Sequence, residues 1–140
     1  MGTVETFDHT ADVGLKIRGD DLDDLFRTAG EGVIDYIVVN RDEVRVEALE
    51  SFSLHADSTL DLLVAWLNEL IFRIETRHRL YSHLDVRVAV DGMSLRAEIG
   101  GESIDHDRHV LDHEVKAVTH HGLSLTREGQ GWLAELILDI

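Results

Sequence analysis

The chain has 140 residues, enough for one domain with one hydrophobic core, and a formal net charge of −15 from 28 acidic and 13 basic residues. So acidic a surface disfavours direct binding to nucleic acid or to anionic membranes, since phosphate groups are bound by basic surfaces. The absence of cysteine excludes disulfides, thiolate nucleophiles and thiolate metal ligands.

The composition also bears on where the protein works. The sequence has neither a signal-peptide pattern nor an apolar run of the roughly 18 residues that a membrane span needs, which predicts a soluble cytoplasmic protein. Only Lys16 and Lys116 are lysines, against eleven arginines. An acidic surface with little lysine suits high intracellular salt and indicates a halophilic source; a GC-rich genome that favours arginine is the other interpretation.

The beginning of the chain predicts two strands and a helix. Residues 3–8 and 13–18 have strand patterns, and in the second one apolar residues recur at every other position. Asp20 or Asp21 can cap a helix that runs to about Ile37, with an apolar stripe at helical spacing.

A further strand and a second helix follow. The strand is predicted over 44–55 and the helix over about 58–76, where leucine and isoleucine recur every three or four residues. Ser58 and Asp61 resemble a capping box at the start of this helix, with Asp in place of the usual Glu.

The second half of the chain predicts two β-hairpins. The first joins Asp85–Val90 to Ser94–Ile99, and the second joins Val115–Arg127 to Trp132–Ile140. The Gly100-Gly101 pair that follows the first hairpin predicts a turn.

The order of these elements indicates the fold class. Helices come early and strands cluster late, which favours an α+β fold over an alternating parallel one. We therefore expect a single domain over residues 1–140, in which two helices pack on a mainly antiparallel or mixed β-sheet.

Two polar segments offer hard oxygen donors. Asp8-His9-Thr10-Ala11-Asp12 interrupts the first two strands, and Asp139-Ile140 follows an apolar strand at the end of the chain. A docked chain end would bring a carboxylate, main-chain oxygens and the α-carboxylate together, a donor set suited to Ca²⁺ or Mg²⁺. A simple turn and a plain strand end are the alternatives, and composition alone favours them.

A histidine-rich segment is a third candidate. Its histidines are His106, His109, His113, His120 and His121, with acidic residues between them. Histidine is the commonest zinc ligand, so His109, His113 and His120 could converge with a carboxylate in a small metal-dependent hydrolase. Their spacing matches neither a zinc finger nor the His-Glu-x-x-His pattern, and surface histidines are the simpler interpretation.

Lys116 is the fourth candidate, within Glu114-Val115-Lys116-Ala117-Val118-Thr119. In a chain that otherwise uses arginine, a lysine offers a compact charge that could meet a phosphate or a carboxylate of a partner. An exposed strand lysine without a function explains it equally well.

Together these segments resemble the archease family over nearly the whole chain. The resemblance lies in several separate motifs that occur in the family's order. They are Asp8–Leu15 with Gly19-Asp20, Asp61–Leu70, Arg108-His109 with Glu114–Gly122, and Asp139-Ile140.

This resemblance implies a function that the composition does not indicate. Archeases are protein cofactors of the RtcB-type RNA ligase, a Mn²⁺-dependent enzyme that joins 2′,3′-cyclic-phosphate or 3′-phosphate RNA ends to 5′-hydroxyl ends, notably in tRNA splicing. The cofactor promotes transfer of GMP from GTP to a histidine of the ligase and restores multiple turnover. It does not form the RNA bond, so the resemblance implies a non-catalytic activator that works through the ligase. The acidic composition adds the expectation of no stable nucleic-acid binding and no membrane partner.

The resemblance also implies roles for particular residues. Asp12, Asp139 and the main-chain oxygens of Ile140 would bind a divalent metal, with Ca²⁺ or Mg²⁺ favoured and Mn²⁺ also compatible. Asp8 and His9 would support these ligands from beside the site. Lys116 would act in ligase activation.

Other functions remain open from the residues themselves. His109 and His120 are minor site candidates, and the metal-dependent hydrolase built on the segment from His106 to His121 is the alternative to an activator. A general chaperone or nucleic-acid-associated module is a third possibility, although the charge of −15 disfavours direct RNA contact.

Overall fold

The architecture is α+β, with two helices packed against two antiparallel sheets. The computed structural model describes residues 2–9 and 12–140, and it describes Asp8 and His9 by their backbone only. The elements are β1 (Thr3–His9), β2 (Asp12–Gly19), α1 (Leu22–Ile37), β3 (Ala48–His55), α2 (Thr59–Arg77), β4 (Arg79–Val88), β5 (Ser94–Ser103), β6 (Ala117–Val118), β7 (Ser124–Glu128) and β8 (Gly131–Asp139).

The strands divide into a larger and a smaller sheet. The five-stranded sheet has the order β1-β2-β8-β6, with β7 also paired to β8, and the three-stranded sheet has the order β3-β5-β4. All of these pairs are antiparallel. Helix α1 packs against both β2 and β4 and so joins the two sheets. The predicted fold class is confirmed, with two sheets where the sequence suggested one.

Both helices begin where the sequence predicts. The side chain of Asp21 accepts a hydrogen bond from the Asp24 backbone at 2.8 Å, and that of Ser58 accepts one from Asp61 at 3.1 Å. Each bond satisfies a backbone donor in the first turn of a helix. The Asp61 carboxylate pairs with His120, whose Nε2 lies 3.0 Å from Asp61 Oδ1.

A shared core fastens the helices to each other and to both sheets. Trp66 of α2 is fully buried, and its indole Nε1 donates to the backbone oxygen of Phe26 in α1 at 2.8 Å. Burying a large apolar side chain contributes roughly 1.5–3 kcal/mol, so the apolar helix faces supply much of the stability. No helix in the described part of the chain is both long and apolar enough to cross a membrane.

Several predicted strands differ from those observed, and both strands of the first predicted hairpin are longer, as β4 begins at Arg79 and β5 ends at Ser103. The strand predicted over 44–55 begins only at Ala48, because a 3-10 turn over Arg41–Glu43 redirects the chain before it. The strand predicted over Val115–Arg127 is interrupted between β6 and β7, both of which pair with β8.

The turn predicted at Gly100-Gly101 is also wrong. Both glycines lie inside β5 and are buried, with Gly101 paired to Tyr81 of β4. A Cβ atom added to Gly101 would lie 1.8 Å from the carbonyl oxygen of Leu80. Glycine is therefore required here by the close approach of β4.

Candidate functional site

Asp12 and Asp139 lie directly opposite each other across two strands. Asp12 is the first residue of β2 and Asp139 is the last of β8, and the antiparallel register pairs them. Directly opposed residues place their side chains on one face of a sheet, with Cβ atoms about 4.5–5.5 Å apart. Both residues are partly exposed. The structure thus brings together the two carboxylates that the family resemblance assigns to a metal.

The segment around Lys116 joins the same sheet edge. Ala117 of β6 pairs with Asp139, and the backbone N–H of Lys116 donates to the Asp139 carbonyl oxygen at 2.7 Å. The Lys116 side chain is exposed, and its Nζ forms no ion pair or hydrogen bond with any described residue. The compact ammonium of Lys116 is therefore available to an external anion, on a segment whose backbone adjoins Asp139.

Asn68 of α2 holds this segment in place, a role that the sequence reasoning missed. Its amide Nδ2 donates to the Val118 carbonyl at 3.0 Å, and its Oδ1 accepts from the Val118 N–H at 2.8 Å. The side chain thus pairs with the short strand β6 as a neighbouring strand would. The sequence signal that could have indicated this role is the polar Asn68 within the apolar pattern of α2.

Two of the predicted residues are described by backbone position alone. His9 pairs with Asp12, and Asp8 pairs with Val13, in the register of β1 and β2. Thr10 and Ala11 of the same motif lie outside the described residues. The expectation that Asp8 and His9 support the metal ligands stays a prediction.

The donor chemistry of this edge suits a hard divalent cation. Asp12 and Asp139 offer carboxylate oxygens and Ile140 offers main-chain oxygens, the ligand types that Ca²⁺ and Mg²⁺ prefer. The Asp139 carbonyl oxygen accepts the hydrogen bond from Lys116, and its carboxylate is the group that the family resemblance assigns to a metal. Within residues 2–9 and 12–140 as described, no three His, Cys, Asp or Glu side chains are grouped as a metal site. Further oxygen donors would have to complete the coordination.

His109 is a structural histidine. It is buried, its Nδ1 accepts from the Asp105 backbone N–H at 2.9 Å, and its Nε2 lies 3.0 Å from Glu102 Oε2. Since Nδ1 accepts a hydrogen bond, Nε2 is the nitrogen that carries the proton and donates to Glu102. Both ring nitrogens are therefore used within the fold, and the minor site role of His109 stays a prediction.

The remaining histidines are spread over the surface. His120 pairs with Asp61 at the start of α2, while His113 stacks on Tyr36 with ring centroids 4.4 Å apart. His106 is exposed. The described residues contain no group of three His, Cys, Asp or Glu side chains that could hold a metal, so the alternative in which these histidines converge on zinc finds no support.

Glu102 anchors the loop that leads to β6. Arg108 donates to both of its carboxylate oxygens, and the Arg45 backbone N–H donates to Oε2 at 2.6 Å. The hydrogen bonds from Arg108 above all lower the pKa of Glu102 to about 2, against the opposing effect of its burial. The Arg108-His109 motif thus fastens the loop, and no exposed site is formed there.

Known proteins with similar sequences cover the full length of the chain. A model of the archease protein family matches residues 5–140. The protein archease of Methanopyrus kandleri is 33% identical over 138 residues, which are 97% of this chain and 98% of that protein. The protein archease of Pyrococcus furiosus is 31% identical over 140 residues, which are 97% of each chain.

Two solved structures have the same fold. The solution structure of a Methanobacterium thermoautotrophicum protein matches with a TM-score of 0.79 and 28% identity over 98% of each chain. The crystal structure of a Thermotoga maritima protein, described as an archease and possible chaperone, matches with a TM-score of 0.69 over 97% of this chain and 96% of that one. At 17% identity the second match concerns the fold alone. With the family model and the relatives in agreement, the chain belongs to the archease family.

Proposed function

We propose that this archease is a non-catalytic activator of an RtcB-type RNA ligase, promoting guanylylation of the ligase histidine and multiple turnover in tRNA splicing. The observation that carries the proposal is the pairing of Asp12 with Asp139 beside Lys116. This arrangement combines a carboxylate pair with a free cation at one exposed sheet edge. We further propose that it acts in the cytoplasm.

The carboxylate pair would hold a divalent metal, Ca²⁺ or Mg²⁺ in the first place and Mn²⁺ as a further possibility. Asp12, Asp139 and the main-chain oxygens of Ile140 would be its ligands in this proposal, supported by Asp8 and His9. When bound, such an ion would supply positive charge toward phosphate oxygens.

Lys116 would act on the ligase side of the interface. Its backbone is tied to Asp139 while its side chain extends freely, so the ammonium can meet a phosphate or carboxylate of the ligase complex. The pairing of Ala117 with Asp139 places the Lys116 backbone beside the last strand, and no described residue forms an ion pair with its ammonium group. The backbone pairing of β6 with β8 thus fixes the point from which the Lys116 side chain extends.

Electrostatics favour a protein partner over free RNA. The charge of −15 complements the basic surface that an RNA ligase needs for its substrate, and complementary charges raise association rates. The same charge opposes direct contact with an RNA backbone. The protein would therefore act on the ligase rather than on its nucleic acid.

Ligase guanylylation tests this proposal directly. Purified ligase from the same source, GTP and Mn²⁺ are combined with the wild type, Asp12→Asn or Asp139→Asn under multiple-turnover conditions. Both variants keep side-chain size and remove a charge, so we expect at least about a tenfold loss of stimulation. Asp57→Asn, an exposed acidic residue before α2, is the control and keeps the wild-type effect.

The two lysines allow a matched comparison in the same assay. Lys116→Ala should lose stimulation, whereas Lys16→Ala removes only a surface ion pair with Glu135 and should keep it. A folded wild type that fails to stimulate the ligase at any salt concentration refutes the activator function. Normal stimulation by both aspartate variants refutes the site.

A further inference from the structure

An apolar groove runs beside the C-terminal half of α2. It consists of two adjoining depressions of about 460 and 560 Å³, which share Ile71, Glu75 and Glu114 as lining residues. These sizes fall within the range of roughly 300–1,000 Å³ typical of ligand-binding clefts. The apolar lining of the first depression consists of Ile37, Ile71, Ile74, Ile104, Leu111 and Val115.

Large apolar side chains are exposed along this α2 groove. Leu111 in the first depression is 41% exposed, and Phe72 in the second is 57% exposed. Apolar surface gathered in a concave region, rather than scattered singly, is typical of a binding surface.

The rim of the first depression is acidic. Glu75, Asp112 and Glu114 are all exposed there, and within the described part of the chain Glu75 and Glu114 form no ion pair. Among the described residues, Asp112 forms an ion-pair contact only with its neighbour His113, at 3.1 Å. The carbonyl end of α2 lies at the same place and adds negative partial charge.

These features select the chemistry of the occupant. Apolar side chains would fill the floor, and Lys or Arg residues beside them would meet the carboxylates of the rim. A second copy of this chain is disfavoured because it would bring another charge of −15 to an acidic rim. Nucleic acid is disfavoured for the same reason.

The groove also leads to the candidate site. Lys116 and Ala117 line its second depression, and both adjoin Asp139 through the backbone of β6. A partner whose segment lies in the groove would therefore reach the carboxylate pair with an adjacent part of its surface.

We propose that the α2 groove is a docking site for a segment of the ligase in which apolar side chains are flanked by Arg or Lys. This inference rests on the proposed ligase partner and adds the surface that supplies affinity. In this proposal the α2 groove binds the ligase segment, whereas the edge formed by Asp12, Asp139 and Lys116 stimulates guanylylation of the ligase.

The affinity of the full-length protein for the purified ligase tests this assignment. Leu111→Gln and Phe72→Gln should each weaken binding by about tenfold or more, since buried apolar anchors dominate interface energies. Phe72 lies on the outer surface of α2, so its replacement keeps the assay informative even if Leu111→Gln loosens the fold. Val90→Gln, at a fully exposed turn valine, is the apolar control.

The acidic rim is tested by removing two charges at a time. Glu75→Gln with Glu114→Gln should weaken binding and reduce its salt dependence, because exposed charge pairs are screened by salt. Asp42→Asn with Asp57→Asn removes the same charge from exposed positions elsewhere and should bind as the wild type does.

The stimulation curve separates this inference from the proposed function. Groove variants should need more protein for half-maximal guanylylation yet reach the wild-type plateau, whereas Asp139→Asn should lower the plateau. Wild-type affinity in both Phe72→Gln and the Glu75/Glu114 variant overturns the groove alone. A wild type that neither binds nor stimulates the ligase overturns the proposed function, and this inference with it.

Discussion

The side-chain amide of Asn68 pairs with Val118 through two hydrogen bonds, one donated at 3.0 Å and one accepted at 2.8 Å. A helix residue thereby completes the edge of a two-residue strand. The same strand pairs on its other side with β8, which ends at Asp139. Asn68 is therefore a positioning residue for the sheet edge that carries Lys116.

Replacing Asn68 should loosen this edge. Asn68→Ala leaves the N–H and carbonyl of Val118 without their partner, at a cost of about 1–3 kcal/mol in the free energy of unfolding. Urea denaturation measures that loss, and amide exchange at 116–118 should accelerate. Gln130→Ala, which shortens an exposed amide in the β7–β8 turn, should change neither quantity. An Asn68→Ala protein with wild-type stability and exchange would contradict this role.

The Glu102 anchor predicts a dependence of stability on pH. Its pKa in the folded protein is about 2, below the ordinary value of 4.5, so its contribution is complete above pH 4.5 and is lost as the pH falls toward 2. Glu102→Gln should lower the free energy of unfolding by about 3 kcal/mol at pH 7, because it leaves Arg108 without its buried partner.

Urea denaturation at pH 7, 4 and 3 checks this prediction. The difference between the wild type and Glu102→Gln should shrink as the pH falls. Glu98→Gln on the same strand removes only a half-exposed contact with His83 at 3.2 Å and should cost less than about 1 kcal/mol. A Glu102→Gln difference that stays constant from pH 7 to pH 3 would refute the assignment.

A metal at the sheet edge should stabilise the fold. After treatment with EDTA, adding Ca²⁺, Mg²⁺ or Mn²⁺ should raise the thermal midpoint of the wild type, since a ligand at 100 times its dissociation constant adds about 2.7 kcal/mol. Asp12→Asn and Asp139→Asn should lose this increase, and Asp57→Asn should keep it. Equal increases in all four proteins would indicate nonspecific binding to the acidic surface.

Salt should stabilise the protein strongly if the acidic surface is an adaptation to high salt. Raising KCl from 0.1 to 1 M shortens the screening length from about 10 to about 3 Å and weakens the repulsion within a chain of charge −15. We expect the thermal midpoint to rise by about 5 °C or more. The Asp42→Asn, Asp57→Asn double variant should start higher at 0.1 M and gain less. A midpoint independent of KCl would refute the salt adaptation.

Local sequence patterns predicted the helices well because their causes are local. Asp21 and Ser58 cap the two helices through neighbouring backbone groups, and apolar residues at helical spacing form one buried face in each. The pairing of Gly101 with Tyr81 was missed, because the need for glycine there comes from the Leu80 carbonyl on another strand. A glycine pair in isolation cannot distinguish a turn from such a close approach.

The same distinction between local and long-range causes applies to the candidate site. The sequence by itself determined the residue types and their motifs, including the carboxylates of Asp12 and Asp139 and Lys116, one of only two lysines. Only the tertiary structure decided that these carboxylates are cross-strand partners and that His109 is enclosed by Glu102 and the Asp105 backbone. The reason is physical: Asp12 and Asp139 stand at opposite ends of the chain, and strand register sets which distant residues meet.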